Sequence, residues 1–354
     1  MTDFQNSYAS RQLLLPLDTF KLVNGKDSVD KENVDGQAGN TTASEQKQIP
    51  NFGIVQAGTQ STKGRDFFGF FAGSTFLSTS LSEQEFLNSD GPVSLKCKSV
   101  AFKHDVTAAA FCAGSKCVVI GTQSGTLTFA LTNGKVLFSQ KLLPSGSKFS
   151  SILVLPKNSL EDVIVLADDG TLLVFHQIDF GKIQTLFVTK DTAGLAKYRK
   201  SMAVSRSSTG IMGPKHRINA SFVHGDTLAI AVCSQKAKDT PVKVWNRHLS
   251  QNPNSKPILE EQTALNQSIA DNSSHAGVIK VEWTSDGAWF MLLGAEGRLS
   301  WWNATNNELI KTLDEYSGIV DFTLLETGRS TSFPRIAIQK HRSSGSSVTV
   351  LFLD

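Results

Sequence analysis

The sequence predicts an all-β fold, a WD-type β-propeller of six or seven four-stranded blades with long insertions. The first indication is Cys117–Leu142, which reads as strand–turn–strand–turn–strand, with the hairpin signal Asn133-Gly134 between two apolar runs. The second is that this meander recurs at a period of roughly 40 residues, which is typical of propeller blades. The third is a glycine at the same turn of three copies: Gly125, Gly170 and Gly297.

The copies of the meander define the number of blades. The pattern predicts four strands at Phe149–Val188 and again at Val278–Leu313. Weaker copies lie at Asp66–Phe102, Asn219–Arg247 and Gly318–Asp354. With a contribution from residues 1–60, these units favour seven blades over six. A β-sandwich is the competing architecture, but it does not explain the repeated glycine turns.

The apolar run Arg11–Leu17 lies before the first complete unit. We expect it to add one strand to the last blade, because that pairing would close the ring and remove two open strand edges.

Residues 1–354 are expected to form one propeller domain that three polar segments interrupt. Residues 24–48 contain almost no large apolar side chain and predict a disordered loop. Residues 189–217 and 247–277 predict insertions between blades, and Ala193–Val204 is compatible with a short basic helix. Long insertions in a compact domain are usually functional or disordered.

Composition excludes several classes of protein. The net charge of +3 is too small to indicate nucleic-acid binding. The N-terminus has no basic start, and no apolar run approaches the ~20 residues of a membrane helix, so neither a signal peptide nor membrane insertion is expected. Four cysteines in so long a chain do not predict a disulfide scaffold. The protein is therefore expected to be cytosolic or nuclear with reduced thiols.

Motifs that would carry catalysis are missing from the sequence. No phosphate-binding loop and no Gly-x-Ser-x-Gly elbow is present. The strands expected to line the central channel offer little beyond His224 and Glu282. The sequence therefore predicts a non-enzyme with no cofactor.

Cys112 and Cys117, with Cys97 and His104 upstream, allow two interpretations. Their spacing is compatible with a zinc site. However, Cys112 and Cys117 fall at the end and the start of consecutive predicted strands, where cysteine behaves as a small core residue. Core packing is the favoured interpretation.

Two aromatic groups allow a similar choice between the core and an exposed docking patch. The run from Phe67 to Phe71 predicts strand residues that are buried on both faces. Trp301 and Trp302 are expected to point to opposite faces of one strand, each against a different blade.

The candidate interaction site lies in the insertion at 189–217. The tentative partner-binding residues are Leu195, Lys197, Tyr198, Arg199, Lys200, Met202, Lys215 and Arg217. The basic residues fit a solvated loop, an acidic protein partner or, less well, nucleic acid. The apolar stripe Leu195, Tyr198 and Met202 has helical spacing, so it fits either a docking face or a helix that packs on its own propeller.

The order of the units resembles a known family. The runs "VVIGTQSGTLTFALTNGKVLFSQKLL" and "VIVLADDGTLLVFHQIDFGKIQ" precede the basic "AKYRKSM", and "PVKVWN" and "GRLSWWNATNNELIKTL" follow it. This arrangement resembles the N-terminal propeller of the Rod (rough deal) family of kinetochore proteins over roughly Asp66–Asp354. The strand ends "VWN" and "WWN" depart from the Trp-Asp dipeptide of WD propellers.

The resemblance implies that the chain is the N-terminal part of a longer propeller–α-solenoid protein. It implies a scaffold that binds Zwilch, and the Zeste-white-ten subunit through the rest of the full-length chain, in the RZZ complex. At the level of that complex it implies recruitment of Spindly and dynein–dynactin, support of spindle checkpoint signalling, and a location in the cytoplasm and at kinetochores. The alternative is the N-terminal propeller of the related endoplasmic-reticulum tethering protein, which serves Golgi-to-reticulum vesicle traffic.

Overall fold

The structure is a computed structural model of the chain. It describes residues 10–14, 52–56, 65–82, 93–94, 97–157, 159–208, 216–224, 227–234, 243–248, 259–272, 278–284, 287–294, 296–313, 318–325, 335–340 and 349–353.

The described residues form an all-β fold with three short helices. The strands are β1 (Ser10–Leu14), β2 (Phe52–Gln56), β3 (Arg65–Ala72), β4 (Thr75–Ser82), β5 (Val93–Ser94), β6 (Lys98–Ala101), β7 (Val106–Cys112), β8 (Cys117–Thr122), β9 (Thr126–Leu131), β10 (Val136–Lys141), β11 (Phe149–Lys157), β12 (Leu160–Ala167), β13 (Thr171–Ile178), β14 (Ala203–Ser208), β15 (His216–His224), β16 (Thr227–Ser234), β17 (Lys243–His248), β18 (Leu259–Glu261), β19 (Val278–Trp283), β20 (Trp289–Gly294), β21 (Leu299–Asn303), β22 (Glu308–Leu313), β23 (Ile319–Leu325), β24 (Arg335–Lys340) and β25 (Thr349–Leu353). The helices are α1 (Phe180–Val188), α2 (Thr192–Ser201) and α3 (Thr263–Asn272).

These strands form six sheets, which we number in chain order. Sheet 1 is β2-β3-β4-β6, and sheets 2 to 5 each contain four consecutive strands, β7–β10, β11–β14, β15–β18 and β19–β22. All strand pairs in these five sheets are antiparallel. Sheet 6 has the order β23-β24-β25-β1-β5, in which β1 is antiparallel to β25 and parallel to β5.

The pairing of β1 with β25 confirms that the N-terminal run joins the last unit, with Ser10 opposite Leu353 and Leu14 opposite Thr349. It also changes the number of units. β1 belongs to sheet 6, and β2 pairs with β3 in sheet 1, so residues 10–14 and 52–56 are not part of a seventh sheet. The described residues form six.

Consecutive sheets meet through their first strands. β2 contacts β7, β7 contacts β11, β11 contacts β15, β15 contacts β19, and β19 contacts β23. β23 of sheet 6 also contacts β2 of sheet 1.

Five separate clusters of buried side chains each join two consecutive sheets, from sheets 1 and 2 to sheets 5 and 6. Strand β20 shows how one strand serves two of them. Phe290 and Leu292 pack in the cluster between sheets 4 and 5, whereas Met291 and Leu293 pack in the cluster between sheets 5 and 6. Because successive side chains of a strand point to opposite faces, a continuous apolar run is what a sheet covered on both faces requires.

The aromatic residues follow the same rule. Trp301 packs between sheets 5 and 6 and Trp302 between sheets 4 and 5, as predicted from their adjacency. Phe68, Phe70 and Phe71 are buried, so this run is core and not a docking patch.

At the repeated glycine turns, the turn between two strands of one sheet packs closely against the segment that leads to the next sheet. Gly297 has φ +77°, and a Cβ there would lie 2.7 Å from the backbone nitrogen of Ile319 in β23. Gly125 has φ +75°, and a Cβ there would lie 2.7 Å from the Leu143 Cβ. The Gly125 carbonyl accepts the N–H of Leu142 at 2.9 Å, and the Gly297 carbonyl accepts that of Ile319 at 3.2 Å. Glycine is needed at both turns for the positive φ and for the close approach.

Two predictions about the insertions need correction. The last part of Phe149–Val188, predicted as a fourth strand, is helix α1, because Asp179 caps its N-terminus and Phe180 and Ile183 are buried one turn apart. The fourth strand of sheet 3 is instead β14, within the segment 189–217. That segment therefore does not lie wholly between two sheets.

The segment 247–277 likewise contains the fourth strand of a sheet. Leu259–Glu261, which lies within the predicted insertion 247–277, is β18 and completes sheet 4 by pairing with β17. The helix of this segment, α3, buries Leu265 and Ile269 between sheets 4 and 5. Residues 24–48, predicted to be disordered, lie outside the described residues.

Cys112 and Cys117 face each other across the β7–β8 pair, and both are buried in the cluster between sheets 2 and 3. Both are free thiols. Their packing agrees with the core interpretation. In the part of the chain that the structure describes, no group of three or more His, Cys, Asp and Glu side chains could hold a metal ion.

Cys97 leads to a chemical prediction. Burial raises the pKa of its thiol to about 11, against a smaller opposing effect of a hydrogen bond with Thr79. Because the thiolate is the reactive form, we expect iodoacetamide at pH 8 to modify Cys97 in the native protein roughly 200-fold more slowly than a free cysteine with a pKa of about 8.5. Peptide mass spectrometry over time measures this rate. The urea-unfolded chain is the control, and equal rates in the two states would contradict the prediction.

Candidate interaction surface

Helices α1 and α2 form a helical hairpin inserted between β13 and β14 of sheet 3. Each helix begins at an aspartate: the Asp179 carboxylate accepts the N–H of Lys182 at 2.8 Å, and the Asp191 carboxylate accepts that of Gly194 at 2.7 Å. Aspartate is a favoured N-cap residue because it satisfies the free N–H groups of the first turn. The two caps therefore fix where each helix of the hairpin starts.

The inner side of the hairpin packs on the β-sheets. Phe180 is buried, and its ring centroid lies 5.8 Å from that of Phe129 in sheet 2. Ile183 is fully buried in the same cluster, and α1 contacts β10. The hairpin belongs to sheet 3 but covers sheet 2, so it ties two neighbouring sheets together.

The apolar stripe of α2 also faces inward. Leu195, Tyr198 and Met202 are partly buried against the cluster between sheets 2 and 3. The Tyr198 hydroxyl accepts the N–H of Asp179 at 2.8 Å, and the Lys182 ammonium lies 5.4 Å from the centre of the Tyr198 ring. Of the two interpretations of this stripe, the contacts favour the one in which it fastens the helix to its own domain.

Burial raises the pKa of Tyr198, and the nearby Asp179 carboxylate adds to this effect. The hydrogen bond from the Asp179 backbone opposes both. The phenol therefore stays neutral at physiological pH and serves as a structural acceptor.

The basic residues of α2 point away from the core. Lys197, Arg199 and Lys200 are exposed, and Arg199 and Lys200 lie in the last turn, where positive charge favours the helix dipole. Of the two remaining candidates, Arg217 lies in β15 opposite Cys233, and Lys215 lies outside the described residues. The structure thus separates the predicted residues into inward anchors and an outward basic face.

Glu282, proposed as one of the few polar groups in the first strands, is fully engaged. Its Oε1 accepts the Thr323 hydroxyl at 3.1 Å and the Leu324 N–H at 3.2 Å. The Lys280 ammonium lies 3.5 Å from its Oε2 and donates to Asp321 at 2.9 Å. These contacts join β19 to β23 and explain Glu282 as part of the interface between sheets 5 and 6. His224 lies at the end of β15.

Among the described residues, no helix is both long and apolar enough to cross a membrane.

Comparison with known proteins gives one family. The family described as "KNTC1, N-terminal" matches residues 77–342, about three quarters of the chain. The match covers sheets 2 to 5 and the whole helical hairpin. No curated protein matches the chain.

Proposed function

Because the chain belongs to the KNTC1 N-terminal family, we propose that it is a non-catalytic scaffold and protein-interaction domain of the RZZ complex at unattached kinetochores. KNTC1 is the human Rod protein. The family match over residues 77–342 is the observation that carries this proposal, and it favours the kinetochore protein over the related reticulum tethering protein. Under the proposal, the domain supports spindle checkpoint signalling and the recruitment of Spindly with dynein–dynactin.

The proposed architecture is a closed propeller with six blades, one for each sheet. Two observations support it. The first strands contact one another in the order of the sheets, and β23 returns to β2. The N-terminal strand β1 pairs with the C-terminal strand β25, which is the way a propeller closes without leaving open strand edges.

A scaffold role fits the way polar groups are used. The partly buried charged groups of β19 and β23 bond to one another and to neighbouring backbone. The blade strands are occupied in covering adjacent sheets, so recognition falls to insertions and rims. We therefore assign no catalytic residue and no cofactor.

Zwilch is the proposed direct partner, and the outer face of the hairpin is its proposed contact. Lys197, Arg199 and Lys200 are exposed there on a helix whose apolar side is fixed to the domain. A rigid helix with outward charges loses little entropy on binding, which favours specific association. The Zeste-white-ten subunit is assigned to the remainder of the full-length protein, and no role is proposed for nucleic acid or membrane insertion.

The test is co-purification of residues 1–354 with Zwilch. We expect the wild-type chain to bind and the double variant Arg199→Glu, Lys200→Glu to bind at least tenfold more weakly, because exposed interface charges act through long-range attraction. The temperature of thermal unfolding should fall by only a few degrees, since both side chains are exposed and the favourable interaction of each with the helix dipole is small.

Lys311→Glu is the matched control, because Lys311 is an exposed lysine on β22 of sheet 5. It should bind as wild type does. If the double variant also binds normally, the hairpin is not the contact. If the wild type does not bind Zwilch at all, the assignment of the partner is wrong.

A further inference from the structure

We propose that a continuous basic band docks a flexible, acidic segment of a partner protein. The band consists of Lys98, Lys135, Lys141, Lys182, Arg199 and Lys200. It crosses from sheet 1 over sheet 2 to the helical hairpin of sheet 3. The inference rests on the proposed function, because it names the chemistry of a partner for an interaction domain, and it extends the surface well beyond the hairpin.

The exposed charge of the stretch 97–208 is strongly one-sided. Among the described residues between 97 and 208, eleven Lys and Arg side chains are exposed, against a single exposed acid, Asp191. The net charge of the whole chain is only +3, so composition hides this asymmetry. A surface of one sign attracts partners of the opposite sign and speeds their association.

The acids of the same region are used internally. Both oxygens of Glu161 accept the N–H of Ala113, at 2.9 and 3.0 Å. Asp162 accepts the N–H of Gln177 at 2.8 Å, and Asp168 accepts that of Lys148 at 3.0 Å. Asp169 accepts the N–H of Thr171 at 2.8 Å. These carboxylates fasten turns and strand ends, and none of the four is exposed.

Backbone contacts make the band continuous. Strand β6, which carries Lys98, meets the β9–β10 turn, since a Cβ at Gly134 would lie 3.2 Å from the Ser99 carbonyl oxygen. Lys135 follows directly in that turn, and Lys141 ends β10.

The second half of the band runs through the hairpin. Helix α1, which carries Lys182, contacts β10, and the Lys182 ammonium lies over the ring of Tyr198 in α2. Arg199 and Lys200 follow Tyr198 directly. Residues that are far apart in sequence therefore form one surface.

The side chains favour carboxylates over nucleic acid. Five of the six residues in the band are lysines, which act as point charges and do not provide the planar fork with which arginine grips phosphate. No Phe, Tyr or Trp among the residues whose burial the structure describes is exposed, so these residues offer the bases of a single strand no large ring to stack on. The exposed Val136 directly follows Lys135 and offers a small apolar contact to a peptide.

The probe is a fluorescent peptide of about 20 glutamates, measured by fluorescence polarisation against residues 1–354 at low salt. We expect binding that weakens at least tenfold between 50 and 300 mM NaCl, because salt screens exposed charges. The variant Lys135→Glu, Lys141→Glu should bind at least tenfold more weakly, and the control Lys311→Glu should stay within twofold of wild type. Both substitutions of the double variant lie outside the hairpin, and an unchanged melting temperature shows that it is folded.

The inference is overturned if Lys135→Glu, Lys141→Glu binds the peptide as wild type does, or if single-stranded DNA of equal length binds more tightly than the peptide. These results are separable from the test of the proposed function. Suppose that Arg199→Glu, Lys200→Glu no longer binds Zwilch, while Lys135→Glu, Lys141→Glu binds the peptide as wild type does. The scaffold proposal then stands and the band is wrong. Peptide binding by a wild-type chain that does not bind Zwilch leaves the band standing without that partner.

Discussion

Replacing Gly297 with alanine should lower the free energy of unfolding by about 3 kcal/mol. Two effects add. Alanine at φ +77° is strained, and its Cβ would lie 2.7 Å from the nitrogen and 2.9 Å from the carbonyl oxygen of Ile319. Those atoms are backbone of β23, so the conflict is relieved only by moving sheet 6 away from sheet 5. Urea unfolding followed by circular dichroism gives the change.

Gly318→Ala is the control that separates the backbone strain of a positive φ from the steric conflict of the Cβ with β23. Gly318 has φ +70°, close to that of Gly297, but no atom lies within 4 Å of a Cβ built there. We expect it to lower the free energy of unfolding by only about 1–2 kcal/mol, the strain alone. Equal effects of the two substitutions would mean that the contact between the turn and β23 contributes nothing.

Trp302→Ala should lower the free energy of unfolding by about 3–5 kcal/mol, which is typical of a large aromatic removed from a core. Trp302 is fully buried, stacks on Phe290 with ring centroids 5.6 Å apart, and donates its indole N–H to the Ser300 hydroxyl at 2.9 Å. Its removal leaves a cavity between sheets 4 and 5 and a hydroxyl without that donor. Urea unfolding, as for Gly297, measures the loss.

Ile310→Ala is the control for Trp302. Ile310 lies on β22 of the same sheet, but its side chain is 45% exposed, so truncation should change the free energy of unfolding by less than about 1 kcal/mol. A Trp302 variant as stable as the Ile310 variant would contradict the burial of the indole between two sheets.

Features that depend on local chemistry could be predicted from the sequence. The predicted meander Cys117–Leu142 contains β8, β9 and β10. It could be predicted because the short motifs Ser124-Gly125 and Asn133-Gly134 mark its turns. The opposite faces of Trp301 and Trp302 follow from strand geometry alone. The pairing of the N-terminal run with the last unit was predictable because an unpaired strand at each end would leave open edges.

Outer strands were harder to predict. β14 reads "AVSRSS" and is largely exposed, so it has no apolar alternation, and only its pairing with β13 makes it a strand. With β14 unrecognised, the last apolar run of Phe149–Val188 was assigned as the fourth strand. Phe180, Ile183 and Phe187 have the spacing of a helix face, but the last four residues, "TLFV", are rich in residues that favour a strand.

The candidate site was predicted only in part. Lys197, Arg199 and Lys200 lie close together in the sequence, so the sequence alone indicates a basic, exposed cluster. Lys98 and Lys135 are far apart in the sequence and come to the same surface only because β6 meets the β9–β10 turn. Surfaces built across sheets leave no local pattern.

The pairing of β1 with β25 has a consequence for synthesis on the ribosome. Leu14 finds its partner only when Thr349 has been made. At 5–20 residues per second, roughly 20–70 s separate the two. During that interval sheets 1 to 5 can form in turn, and β1 can pair only with the short strand β5, so its edge toward β25 stays unmatched. A waiting strand of this kind is a target for chaperones and for mispairing with another nascent chain, so the yield of native protein should depend on how the first strand is protected before the last one emerges.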